Sequence, residues 1–137
     1  MHIILVVDDN WGMSFNNRRQ SRDRVLTERI LELTASAHLW IRESSLKLFP
    51  DPPAHLIIDD EFPIKAESGD YCFVENVALL PTIEKFEGII VFHWNRVYPS
   101  DQVFDRTFLE GGWLLTSTSE FVGHSHEKIT MERYVRR

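Results

Sequence analysis

Residues 3–33, IILVVDDNWGMSFNNRRQSRDRVLTERILEL, constrain the fold more than any other part of the chain. They read as a buried strand, a polar loop crowded with charge, and an amphipathic helix, the order in which α/β proteins place a ligand at the carboxyl end of a strand. Residues 3–7 form an unbroken apolar run rich in β-branched side chains, which suits a central strand covered on both faces. Asp8, Asp9, Asn10 and Gly12 break that run, and Asn16-Asn17 extend the loop to Ser21, the expected N-cap of the helix. Leu26, Ile30 and Leu33 then recur at i, i+4 and i+7, leaving Arg24, Glu28 and Glu32 for solvent.

The rest repeats short apolar runs between short polar connectors. Residues 38–41, 55–58 and 71–74 read as strands; residues 44–49 carry a helical turn or two before Pro50. Residues 76–86 suggest a modest helix interrupted near Pro81, and residues 89–94 make the strongest strand of the second half. Residues 113–118 and 129–137 are expected to pair antiparallel across a polar link at 120–127. The pattern predicts one α/β domain spanning residues 1–137, with a mostly parallel central sheet and an antiparallel C-terminal edge.

At 137 residues the chain is long enough to bury a core and too short for two ordinary domains. Its net charge of −6 argues against general binding to nucleic acid or anionic membranes, neither of which is expected as a partner. Cys72 is the only cysteine, so no intrachain disulfide can form and no cysteine-rich zinc site exists, which fits a reducing compartment; a cytoplasmic location is expected. The first apolar run is too short for a secretion signal or a membrane span.

The segments IIVFHWNRVYPSDQVFD, GGWLLTSTSEF and HSHEKITMERYVRR resemble the ending of the dihydrofolate reductase family. More loosely, ILVVDDNWGMSFNN resembles its first strand and mobile Gly-Met loop, and HLWIRESSLKLF and HLIIDD its next two strands. The resemblance implies a three-layer fold, here shortened, in which Asp23 falls where the family keeps its substrate-binding carboxylate. It also implies a cleft for a small heteroaromatic ligand, lined by Val6, Val7, Trp11, Met13, Asp23, Thr27 and Phe92. The cofactor half departs from the family. The Gly-Arg expected at the second helix reads Ile41-Arg42-Glu43-Ser44, residues 76–86 are too short for a strand, a Gly-Gly turn and a helix, and Asp59-Asp60-Glu61 would repel a phosphate. NADPH is therefore not an expected cofactor, and the reading is a binding protein or degenerate enzyme, with an active reductase that binds its cofactor in an unfamiliar way as the lesser alternative.

Three clusters invite other chemistry. Asp23 shares a helix face with Leu26, Thr27 and Ile30 and could aim a carboxylate into a pocket; the plainer alternative is an acid offsetting the helix dipole or pairing with Arg19 or Arg22. Arg18, Arg19 and Arg22, with Arg24 and Arg29 beyond, form a basic group that could hold an anion. It could also make the chain an interaction module for a protein or nucleic-acid partner through residues 18–24, or be a solvated face balanced by Asp23, Glu28 and Glu32. His124, His126 and Glu127 in HSHEK have metal-ligand chemistry but lack a third ligand and the Asp and His of a two-metal hydrolase, so no metal is expected. No Gly-x-Ser-x-Gly elbow exposes a serine.

Overall fold

The computed structural model describes residues 1–76, 80 and 83–137. In chain order the elements are β1 (His2–Val7), β2 (Gly12–Phe15), β3 (Arg18–Arg19), α1 (Arg24–Leu33), β4 (Leu39–Ile41), a 3₁₀ helix (Glu43–Leu48), β5 (Leu56–Ile58), α2 (Phe62–Lys65), β6 (Tyr71–Phe73), β7 (Gly88–His93), β8 (Gln102–Val103), β9 (Trp113–Phe121) and β10 (Ile129–Arg136). Among the described residues a seven-stranded sheet runs β5-β4-β6-β1-β7-β10-β9. β1 is parallel to β6 and β7 on either side, β4 to β5 and β6, whereas β10 runs antiparallel to β7 and β9. The mostly parallel sheet with an antiparallel C-terminal edge is thus what forms.

β1 is buried on both faces because its side chains alternate. Ile3, Leu5 and Val7 join Met13, Cys72, Ile89, Val91, Phe104 and Trp113 in one core layer. Ile4 joins Leu26, Ile30, Leu39, Ile41, Phe49, Phe73, Ile90, Phe92 and Trp94 in the other, against which Val6 packs. α1 lays Leu26 and Ile30 on that second layer, as its spacing predicts, while Arg24, Glu28 and Glu32 face water. Cys72 is buried beside Met1, and burial pushes its thiol up to about 12, so it is a core residue without nucleophilic character at neutral pH.

Two expectations are corrected. α1 begins at Arg24, and its cap is Asp23 rather than Ser21: Asp23 is extended (φ −151°, ψ 127°) and its carboxylate accepts from the amides of Val25 and Leu26. Residues 12–19 are not an open loop but the hairpin β2–β3, turned by Asn16 and Asn17 with φ of 53° and 59° and completed by β8. Asparagine tolerates the left-handed region, and two such residues in succession suit the tight turn whose twist matches a hairpin. Asp8 anchors the base, buried and accepting from the amides of Asn10, Gly12 and Tyr98 and from the Gln20 side chain. The helix expected over 76–86 lies largely outside the described residues; Ile83–Lys85 form a 3₁₀ turn.

Candidate functional site

The carboxyl ends of β1 and β6 open beneath the N-terminus of α1. Asp23, buried there, does more than cap the helix. Its Oδ1 also accepts from the amide of His124, at 2.9 Å, and its Oδ2 from the amide of Ser125, at 2.8 Å, from the Ser125 hydroxyl and from His126 Nδ1, at 2.9 Å. Gly123 allows the β9–β10 connection to come this close, since a Cβ there would stand 2.6 Å from Asp23 Oδ2. Burial alone would push the Asp23 carboxyl up; the His124 amide, the His126 ring and the Ser125 and Leu26 amides outweigh it and hold the group well below the usual carboxylate range.

His126 is the other half of this arrangement. Its ring is buried, stacks on Trp94 at 4.4 Å between centroids, and presents Nε2 to the Tyr98 hydroxyl at 3.0 Å and the Ser21 hydroxyl at 3.2 Å. Both ring nitrogens meet hydrogen-bond partners, and among the described residues no group of His, Cys, Asp and Glu is placed to hold a metal.

Of the residues expected to line a ligand cleft, the structure gathers Val6, Met13, Asp23 and Thr27 around one narrow cavity, with Ser21, Leu26, Leu48, Phe73 and Trp94. Its volume is about 20 Å³, room for about one water molecule. Beside it, sharing Arg22, Asp23, Thr27 and Leu48, a groove of about 570 Å³ runs between α1 and residues 47–51. The other expected residues lie elsewhere. Val7 faces the opposite side of β1, Phe92 is wholly buried beneath α1, and Trp11 packs on His93 and Phe104. Successive strand residues point to opposite faces, so Val6 and Val7 cannot share one cleft.

The arginines also separate. Arg19 makes a two-pronged bond to Glu75, Nε to Oε2 at 2.8 Å and an Nη to Oε1 at 2.9 Å, and Ser45 donates to the same carboxylate at 2.6 Å. Arg24 pairs with Glu28, and Arg29 lies over the Phe121 ring. Arg18 and Arg22 instead line a groove of about 980 Å³ with Arg19, Arg42 and Lys47. Glu75, Tyr98, Trp94 and Ser21 carry no local sequence signal for their places here, because their partners come from distant segments. Asp59 and Glu61 are engaged by Lys65, and Asp60 by Arg42.

No protein-family model matches the chain, and no curated protein matches its sequence. Among solved structures it is similar to the dihydrofolate reductase from Enterococcus faecalis complexed with NADP(H) and RAB-propyl, at a TM-score of 0.71 and 12% identity. The match covers 99% of this chain and 95% of that one. The chain therefore has a dihydrofolate reductase-like α/β fold. At this identity the likeness speaks for the fold alone.

Proposed function

We propose that this chain is a binding protein on the dihydrofolate reductase-like fold, taking a small heteroaromatic ligand between α1 and residues 47–51 without NADPH-dependent reduction. The observation that carries the second half is Glu75. β6 is the parallel strand beside β1, and the family resemblance implies a glycine-rich turn for cofactor phosphates after such a strand. Here the strand runs into Val74-Glu75-Asn76, and the Glu75 carboxylate, clamped by Arg19 and Ser45, itself supplies the negative charge at that sheet end. A phosphate brought there meets a carboxylate.

For the ligand, the groove offers the aliphatic and aromatic walls of Leu31, Leu48, Phe49 and Pro50 with polar groups at its rim, and its volume lies in the range of small-molecule sites, about 300–1,000 Å³. Asp23 is an unsuitable direct partner, since both its oxygens are already engaged; it acts by fixing the wall. A pteridine-based folate analogue at about 100 times its Kd should stabilise the protein by about 2.7 kcal/mol. Thr27→Arg, which fills the groove from an accessible helix position, should remove the shift in melting temperature while leaving the unliganded protein within about 0.5 kcal/mol of wild type. A shift with NADPH, or none with the analogue, would count against the proposal.

A second reading is favoured by the groove of Arg18, Arg22, Arg42 and Lys47, which would accept an acidic segment of a protein partner. Because Arg19 is committed to Glu75, Arg18 and Arg22 are the residues to test. The double reversal Arg18→Glu, Arg22→Glu should abolish a capture from native lysate that weakens as salt is raised. Capture that survives the reversal contradicts this reading.

A further inference from the structure

We propose that Ser21, His126 and Asp23 form a nucleophile, base and orienting carboxylate, and that they can cleave an ester bearing a negative charge. This activity is independent of the ligand-binding reading and rests on the positions of the three groups. Asp23 Oδ2 lies 2.9 Å from His126 Nδ1, so that ring nitrogen carries a proton toward the carboxylate and Nε2 is left as an acceptor. Ser21 Oγ lies 3.2 Å from Nε2. This is the relationship of groups by which a serine relay is recognised on unrelated folds, independent of their order in sequence. The ring cannot swing away, because Trp94 stacks on it and the buried Asp23 holds its far side.

Ser21 lines both the narrow cavity and the basic groove, where Arg18, Arg22 and Lys47 would hold a carboxylate elsewhere on the substrate, the Glu75 carboxylate at the groove's other wall being clamped by Arg19. The site also has donors to spare. Among the described residues, the main-chain amides of Ser21 and Arg22 donate to no protein group, so they are available to a developing oxyanion. The Tyr98 hydroxyl, at 3.0 Å, competes with Ser21 for the same nitrogen and tempers the relay.

In the reaction, Ser21 Oγ bonds to the ester carbonyl carbon while its proton passes to His126 Nε2. The tetrahedral oxyanion collapses, the bond to the alkoxy group breaks, and the leaving alcohol takes the proton from Nε2. Water then attacks the acyl-serine, giving its proton to Nε2 and restoring Ser21 as the carboxylic acid departs. Asp23 stays ionised throughout as a positioning residue. The balance is ester plus water to acid plus alcohol.

The protein should be treated with a fluorophosphonate probe, in which the serine oxygen displaces fluoride from phosphorus, and mapped by mass. One adduct is expected, on Ser21, absent in Ser21→Ala and in the heat-denatured protein. His126→Gln should slow labelling by about 100-fold or more, and Tyr98→Phe, which removes the competing hydroxyl without touching the nucleophile, should speed it. p-Nitrophenyl hemisuccinate should be cleaved faster than the neutral butyrate ester, a preference lost in Arg18→Ala, Arg22→Ala. No adduct, an adduct elsewhere, or labelling indifferent to both His126→Gln and Tyr98→Phe would overturn the relay. Preference for the neutral ester would overturn the substrate class. Should His126→Gln not fold, Tyr98→Phe decides.

Discussion

Asp23→Ala is expected to destabilise the protein by about 3 kcal/mol or more, because it removes a buried carboxylate that caps α1 and accepts from two further amides and a buried ring. For a chain of this size that corresponds to a fall in melting temperature of roughly 10 °C or more. The loss has three physical parts. α1 loses its cap, worth about 0.5–2 kcal/mol. The amides of His124 and Ser125 lose their acceptor, and so does the buried His126 ring. Asp23→Asn keeps one acceptor oxygen and turns an amide nitrogen toward other donors, so it should recover only part of the difference.

The same residue gives stability a pH dependence of definite sign. Its folded pKa is held below the unfolded value, so the contribution is complete above the ordinary carboxyl pKa, about 4, and is lost as the pH falls below it. Thermal melts of wild type and Asp23→Ala should therefore converge as the pH is lowered from about 5 to 2. A gap that stays constant across that range would show that the carboxylate does not supply the stability.

The second large effect is expected at Phe92. It is wholly buried in β7, edge-on to Phe121 at 6.2 Å between centroids and in the layer that α1 covers. Phe92→Ala removes the ring from a fully buried site, and should cost about 3–5 kcal/mol. The urea midpoint should fall while the slope of the transition stays unchanged. Because Phe92 borders neither the narrow cavity nor the groove, the affinity for a folate analogue should be unaltered under conditions where the variant is folded. Lost affinity with stability intact would place Phe92 in a binding wall instead.

What the sequence discloses here follows the range of the interactions. Residues 3–7 and 89–92 are so uniformly apolar that a doubly covered strand is their natural place, and the spacing of Leu26 and Ile30 makes α1 legible from one face. Asn16-Asn17 between strand-like flanks is a local hairpin signal that a loop reading passes over. The two-residue period of a strand likewise puts Val6 and Val7 on opposite faces of β1, a separation that follows from their adjacency alone. The site is different. His126 lies 103 residues from Asp23, and Glu75 lies 56 from Arg19, so neither pairing leaves a mark in any window of sequence. An acid ahead of an amphipathic helix can be read as a cap or as a ligand group, and only the return of the β9–β10 connection decides which donors reach it.

The most direct test of the central claim is a pair of titrations of the purified protein, one with a pteridine-based folate analogue and one with NADPH, followed by tryptophan fluorescence. Trp94 stacks on His126 and lines the narrow cavity that shares Arg22, Asp23, Thr27 and Leu48 with the groove, so it should respond to a ring seated between α1 and residues 47–51. A saturable change with the analogue and none with NADPH is the expected result. Saturable NADPH binding would contradict the account, because Glu75 would then not be keeping phosphate from the end of β6.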